Sequence, residues 1–136
     1  MSPILLDTCA LIWIAEGRLT AAANDALAER FAASVAVYVS PVTAWEVGLL
    51  SSLGRLALRM DPVRWFEAAL ERPGTQVAPL SPTTLVAASF LPGAPPRDPA
   101  DRILIATARH LACPVMTRDR AILAYAEERH VAAITC

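Results

Sequence analysis

The sequence contains no lysine and only three cysteines in 136 residues. Cys9, Cys113 and Cys136 form neither a C-x-x-C pair nor an even framework, which argues against a zinc cluster and against structural disulfides. This cysteine usage is typical of a reducing compartment, so we expect a cytoplasmic protein. No run approaches the roughly 18–20 consecutive apolar residues of a membrane helix. The first residues lack a basic segment and include Asp7, so we expect no signal peptide.

Several common nucleotide and hydrolase motifs are also absent. The sequence has no G-x-x-x-x-G-K, G-x-G-x-x-G or G-x-S-x-G segment, which argues against a P-loop, a dinucleotide site and a serine nucleophile elbow. The net charge of −1 gives no overall attraction to nucleic acid. All 12 basic residues are arginines, however, and five of them fall between residues 97 and 120. A local basic face therefore remains open.

The composition predicts one globular domain over residues 1–136. Hydrophobic residues make up 55% of the chain, enough to form a core at this length. The mean hydropathy of +0.43 is high for such a domain and suggests a surface that a partner covers. Apolar runs of strand length alternate with helical patterns, which predicts an α/β fold with a parallel sheet.

Starts of helices are marked by Ser, Thr or Asp, in four cases followed by proline. Strands are predicted at Pro3–Asp7, Val35–Val39, Gln76–Leu80, Pro114–Thr117 and Val131–Thr135. Helices are predicted at Thr8–Gly17, Thr20–Ala33, Pro41–Gly54, Pro62–Arg72, Pro82–Leu91, Pro99–Ala112 and Arg120–Arg129. Leu91–Arg97 is a proline-rich loop.

Four of the acidic residues lie where strands end or the sixth helix begins. Asp7 and Asp119 each end a predicted strand. Asp98 and Asp101 lie at the start of the helix that precedes the strand ended by Asp119. Ligands of parallel α/β sheets bind beyond the carboxyl ends of the strands, so we expect Asp7 and Asp119 on one edge. Asp98 and Asp119 can also act simply as N-caps, with Asp101 in a capping box, whereas Asp7 has no such explanation.

Glu46 interrupts an apolar stripe. It shares a helix face with Val42, Leu49, Leu50 and Leu53, which we expect to face the core, and we expect Trp13, Trp45 and Trp65 to be core anchors. A buried carboxylate costs several kcal/mol unless it is paired or bound to a metal. Either arginines neutralise these acids internally, or Asp7, Glu46, Asp101 and Asp119 share a site for a divalent cation. Mg²⁺ and Mn²⁺ prefer such hard oxygen ligands.

Four segments in order resemble the PIN-domain ribonucleases, and within them the VapC-like toxins of type II toxin–antitoxin pairs. The segments are LLDTCALIW (Leu5–Trp13), SPVTAWEVGLLSSLGRL (Ser40–Leu56), RDPADRILIATA (Arg97–Ala108) and TRDRAI (Thr117–Ile122). The resemblance covers essentially the whole chain. It implies a three-layer α/β/α domain with a central parallel sheet of about five strands, and cleavage of single-stranded RNA to 5′-phosphate and 3′-hydroxyl ends.

The resemblance also assigns residues. It implies an acidic quartet at Asp7, Glu46, Asp101 and Asp119 that holds Mg²⁺ or Mn²⁺, with Asp98 as an additional acid and Thr8 and Thr117 as flanking polar residues. Pro96 stands where relatives often carry His, which bears on the loop and on the choice of substrate. Arg97, Arg102 and Arg118 are candidates for binding RNA phosphates. The alternative for Arg102 is an ion pair with one of the acids.

The partners implied by the resemblance are RNA, a second copy of the chain in a homodimer, and a small antitoxin in a hetero-oligomer. Two other functions stay open. One is a catalytically silent PIN scaffold that only binds a partner. The other is a phosphotransferase of the haloacid-dehalogenase type with Asp7 as nucleophile, although Cys9 stands where its second Asp belongs and no lysine is available to neutralise phosphate.

Overall fold

The computed structural model describes residues 1–136 as five short strands and seven helices. The strands are β1 (Ile4–Leu6), β2 (Val37–Val39), β3 (Thr75–Val77), β4 (Val115–Thr117) and β5 (Ala133–Thr135). The helices are α1 (Thr8–Glu16), α2 (Ala21–Ala32), α3 (Pro41–Ser52), α4 (Pro62–Leu70), α5 (Pro82–Ser89), α6 (Pro99–Leu111) and α7 (Arg120–Glu127). No helix combines the length and the apolar character that crossing a membrane requires.

All neighbouring strands pair in parallel, in the order β3-β2-β1-β4-β5. The chain builds outward from β1, first through β2 and β3 on one side and then through β4 and β5 on the other. The point between β1 and β4, where this order reverses, is the place at which open parallel sheets form a ligand crevice. The predicted α/β fold with a five-stranded parallel sheet is confirmed.

Helices cover both faces of the sheet because successive strand residues point to opposite sides. Leu5 and Val115 pack with residues of α6 and α7 on one face, in a cluster that includes Leu104 and Tyr125. Ile4, Leu6 and Met116 point to the other face and pack with residues of α1, α2 and α4. The domain therefore has the three-layer α/β/α arrangement that the resemblance implies.

All five strands are shorter than predicted, and for two of them the structure shows a local reason. The predicted strand Gln76–Leu80 is observed as Thr75–Val77, because Pro79 has no N–H with which to continue the ladder. The predicted strand Val35–Val39 begins only at Val37. The N–H of Val35 instead donates to the carbonyl of Arg30 and closes the end of α2.

The expectation that the Glu46 face of α3 lies against the core holds for Val42, which packs against a core cluster, and is wrong for Leu49 and Leu53. Thr43 and Val47 are the buried residues of α3, whereas Leu49 is 42% exposed and Leu53 is 57% exposed. Trp45, predicted to be a core anchor, is 60% exposed. Trp45, Leu49 and Leu53 follow one another at intervals of four residues, so they form an exposed apolar stripe along α3, here called the α3 row. A helix of this composition gave no signal to separate the core face from the exposed face, since both are apolar.

Candidate active site

The acidic residues named from the sequence lie around the switch point of the sheet. Asp7 directly follows β1, and Asp119 lies two residues beyond the end of β4, the neighbouring strand. Asp98 caps α6 and Asp101 lies in its first turn. Glu46 comes from the second turn of α3, whose N-terminus follows β2. Asp7, Asp98, Asp101 and Asp119 thus lie at the N-terminal ends of three helices, where the helix dipole favours negative charge.

Asp7 is held at both carboxylate oxygens. Its Oδ1 accepts a hydrogen bond of 2.7 Å from the N–H of Ala10, and its Oδ2 accepts one from the hydroxyl of Thr117. The side chain is 4% exposed. Asp7 is therefore the N-cap of α1, and the expectation that it has no capping role is wrong. These bonds fix the direction in which the carboxylate can offer its remaining lone pairs.

Thr117 links the two acids that follow the central strands. Its buried hydroxyl donates to Asp7 and accepts a 2.9 Å hydrogen bond from the N–H of Asp119. Oδ1 of Asp119 in turn accepts from the N–H groups of Ala121 and Ile122 and caps α7. The interpretation of Asp119 as an N-cap is thus confirmed, and it leaves Oδ2 without a hydrogen bond inside the protein.

Glu46 is oriented from the start of α1. Oε1 of Glu46 accepts a hydrogen bond of 2.5 Å from Thr8, whose hydroxyl also lies 3.2 Å from that of Thr43. Thr8 and Thr43 are buried, and Glu46 is half-buried. Thr43 was missed in the sequence. Its position three residues before Glu46 on the same helix was the available signal, because residues at this spacing are neighbours on a helix surface.

Asp98 and Asp101 differ in what holds them. Oδ1 of Asp98 accepts a 3.0 Å hydrogen bond from the N–H of Asp101, which confirms Asp98 as the N-cap. The carboxylate of Asp101 is half-buried and accepts no hydrogen bond within the protein. The predicted capping box is therefore wrong, because Asp101 does not accept from the N–H of Asp98, and Asp101 is the acid of the quartet with the fewest internal partners.

No arginine neutralises these acids. The ion pairs of the structure join Arg18 to Glu16, Arg30 to Glu29 and Arg64 to Asp61, all outside the site. The alternative of internal arginine pairing is therefore not what the structure contains.

Three of these acids have a pKa above the ordinary value of their side chain. Burial, with further repulsion from Asp119 and Asp98, raises the pKa of Asp101 to about 7. Burial also raises the pKa of Asp7, although the hydrogen bond from Thr117 opposes this. The pKa of Glu46 is raised for the same reason, against the hydrogen bond from Thr8. Such a cluster of carboxylates without a counter-ion favours binding of a cation.

The donor set suits Mg²⁺ or Mn²⁺, which take hard oxygen ligands. As the side chains are placed, no group of three or more His, Cys, Asp or Glu residues is arranged so that it could hold a metal ion. Mg²⁺ does not require such a group, since it keeps several waters and typically binds one or two carboxylates directly. Asp101 and the free oxygens of Glu46 and Asp119 are available without breaking a hydrogen bond.

The three candidate arginines are used differently. Arg102 donates all three guanidinium nitrogens to backbone carbonyls, those of Ala88, Pro96 and Ser89. This role is an anchor between α6, the end of α5 and the preceding loop, rather than the phosphate contact or the acid partner expected from the sequence. Arg97 is exposed and makes no hydrogen bond, and Arg118 lies against Trp13.

Comparisons with known proteins agree with this architecture. The family model described as "PIN domain" matches residues 4–135. The curated protein "Ribonuclease VapC22" of Mycobacterium tuberculosis is 30% identical over 133 residues, which span 96% of this chain and 98% of that protein.

Two solved structures share the fold. In the crystal structure of VapBC2 from Rickettsia felis bound to a DNA fragment from its promoter, a chain matches with a TM-score of 0.68 and 9% identity, over 98% of each chain. A chain of the FitAcB structure from Neisseria gonorrhoeae matches with a TM-score of 0.55 and 21% identity, over 96% of each chain.

Proposed function

The chain belongs to the PIN-domain family, and from this premise we propose that it is a metal-dependent endoribonuclease acting as the toxin of a toxin–antitoxin pair. The observation that carries the proposal is the set of carboxylates around the switch point, of which none has a cationic partner and three have a raised pKa. The curated relative, which is named a ribonuclease, supports RNA as the substrate.

Asp7, Glu46, Asp101 and Asp119 would hold one or two Mg²⁺ or Mn²⁺ ions. A bound ion would supply an activated water and stabilise charge on the leaving oxygen. The protein's contribution is orientation. Thr117 fixes Asp7 and the backbone of Asp119, and Thr8 fixes Glu46. Asp101, with a pKa raised to about 7, is the group that can release a proton when a cation binds near neutral pH.

The reaction that fits this site is hydrolysis of a phosphodiester. A bond forms between the water oxygen and phosphorus, and the bond from phosphorus to O3′ breaks. The proton lost by water ends on O3′, so the products carry a 5′-phosphate and a 3′-hydroxyl. We expect the purified protein to cleave single-stranded RNA with Mg²⁺ or Mn²⁺ and not with EDTA. Unchanged activity in Asp7→Asn and Asp101→Asn would refute the assignment of the site.

A small antitoxin and a second copy of the chain are the proposed protein partners. The α3 row starts beside Glu46 and exposes three large apolar side chains, which is the kind of surface that a partner covers. We expect expression of the chain alone to arrest growth, and co-expression of the small reading frame beside its gene to restore it. Harmless expression of an active nuclease would contradict the toxin role. The three free cysteines fit the cytoplasm as its compartment.

A catalytically silent scaffold is the second candidate. The observation in its favour is that no three ligating side chains already converge as they are placed. The uncompensated acids weigh against it, because a domain that only binds a partner gains nothing from their repulsion. Metal binding by the isolated chain separates the two functions.

A further inference from the structure

Arg118 is seated on an aromatic ring next to the acidic site. The central carbon of its guanidinium lies 3.6 Å from the centre of the Trp13 ring. Its Nε donates a 2.6 Å hydrogen bond to the carbonyl of Cys136, whose own N–H donates to the carbonyl of Thr117. A guanidinium held by a ring and a carbonyl has lost much of its side-chain freedom already, so a ligand that binds it meets a lower entropic cost.

The two terminal guanidinium nitrogens of Arg118 are free to bind a ligand. Arg118 takes part in none of the three ion pairs, and its two terminal nitrogens make no hydrogen bond. The residue is exposed. Arg18, the other cation near Trp13 at 4.8 Å, is paired with Glu16 at 3.1 Å. Of the two arginines around the ring, only Arg118 presents a free pair of donors, the geometry that matches two oxygens of one phosphate.

The position of Arg118 ties these donors to the site. It stands between Thr117, which binds Asp7, and Asp119, so its main chain is part of the loop that carries the acid. A cation directly on the acids would compete with the metal. Arg118 is drawn instead to the side, toward Trp13 on α1 and the end of β5. The guanidinium therefore lies to one side of the carboxylates and forms no ion pair with them.

We propose that Arg118, seated on Trp13, binds a backbone phosphate of single-stranded RNA beside the one that is cleaved. This inference rests on the proposed function and adds a substrate contact to it. Of the other two candidates, Arg102 has its guanidinium committed to three carbonyls, and Arg97 has no ring or carbonyl to hold it. Arg118 thus combines a held side chain with free donors.

Equilibrium binding of a short fluorescein-labelled oligouridylate, followed by anisotropy in Mg²⁺ over a series of salt concentrations, tests this contact. The Asp7→Asn background prevents cleavage during the titration. In that background we expect Arg118→Gln to weaken binding about tenfold or more, since a charged hydrogen-bond pair is lost. The slope of log K against log salt should become shallower by about 0.7, the value for one phosphate contact on a single strand.

Three further variants define the contact. Arg118→Lys should keep the slope and bind with intermediate affinity, because the charge remains and the stacked fork is lost. Trp13→Leu should weaken binding by less than Arg118→Gln, and the two changes should not be additive. Arg129→Gln removes the same charge two residues beyond the C-terminal end of α7 and is the matched control, which we expect to leave affinity and slope near those of the background.

The outcomes separate the inference from the proposed function. If Arg118→Gln behaves like Arg129→Gln while the wild type cleaves RNA with Mg²⁺, the phosphate contact is refuted and the nuclease stands. Loss of affinity with an unchanged slope also refutes it, because a phosphate contact must change the slope. If the wild type neither cleaves nor binds RNA, the proposed function fails and this inference with it. Should Arg118→Gln not fold, the affinities of Arg118→Lys and Trp13→Leu decide: weaker binding in both supports the contact, and background affinity in both refutes it.

Discussion

Replacing Asp101 with Asn should stabilise the metal-free protein. The carboxylate of Asp101 is half-buried among other acids and accepts no hydrogen bond, so the neutral amide removes repulsion without breaking an interaction. The pKa of Asp101 rises from its ordinary value of 3.8 to about 7 on folding, chiefly because of burial. A carboxyl group with a raised pKa in the folded state destabilises the fold above its unfolded pKa, and this cost grows until the pH passes the folded pKa.

The size of the effect follows from the shift. At pH 7 a shift of this size corresponds to on the order of 4 kcal/mol, from about 1.36 kcal/mol per pKa unit. Because Asp101 is only half-buried, solvent screening reduces this to about 2 kcal/mol. Loss of a negative charge from the first turn of α6 offsets about 0.3–1 kcal/mol. We therefore expect a net gain of about 1 kcal/mol in the free energy of unfolding, which raises Tm by roughly 3–5 °C in a domain of this size.

Scanning calorimetry in EDTA measures this gain. The difference in Tm between variant and wild type should be largest near pH 7 and should shrink as the pH falls toward 4, because the unfolded carboxyl group then begins to bind the proton that the folded one already holds. Asp25→Asn, on the exposed face of α2, is the control and should change stability by less than about 0.5 kcal/mol. A lower Tm for Asp101→Asn in EDTA would mean that a cationic partner stabilises Asp101, and would refute the reasoning.

Three further changes test other parts of the site. Asp7→Asn should also raise Tm in EDTA, but by less than Asp101→Asn, because the oxygens of Asp7 accept hydrogen bonds from Ala10 and Thr117. Mg²⁺ should raise the Tm of the wild type more than that of either variant, and an equal rise in all three proteins would contradict a shared ligand set. Thr117→Val should lower the free energy of unfolding, measured by urea denaturation, by about 2 kcal/mol, since the carboxylate of Asp7 and the N–H of Asp119 both lose their hydrogen-bond partner. An unchanged midpoint would contradict a stabilising role for these two hydrogen bonds. Arg102→Gln should lower the free energy of unfolding by at least about 2 kcal/mol in the same experiment, because three hydrogen bonds to carbonyl groups are lost. The salt dependence of RNA binding should stay that of the background, and a shallower slope would mean that Arg102 binds a phosphate.

Much of the architecture was predictable because local chemistry marks it. Ser40, Asp61, Ser81 and Asp98 each precede a proline, and all four cap a helix in the structure. The strand signal was weaker where tertiary contacts decide, as at Val35, whose N–H completes the turn that ends α2. A pattern of apolar residues does not specify which backbone N–H group will donate a hydrogen bond to a given carbonyl oxygen.

The placement of the acids beyond the strand ends was predictable from topology, but their surroundings were not. The positions of Asp7 and Asp119 after apolar runs were enough to expect them at one sheet edge. The hydrogen bond from Thr117 to Asp7 joins residues 110 positions apart in the sequence. The contact of Arg118 with Trp13 depends on the packing of α1 against β4. The α3 row went unrecognised because Leu49 and Leu53 are as apolar as the residues of a core face.

Isothermal titration of Mn²⁺ into the EDTA-stripped and dialysed protein tests most directly whether these acids form a metal site. We predict saturable binding near pH 7 that depends on the ionisation enthalpy of the buffer, because the pKa of Asp101 is raised to about 7 and the cation displaces its proton. Binding should weaken as the pH falls and should be strongly reduced in Asp101→Asn, but not in Asp25→Asn. Absence of saturable heat in the folded wild type, or equal binding by Asp101→Asn, would contradict a metal-dependent nuclease built on this quartet.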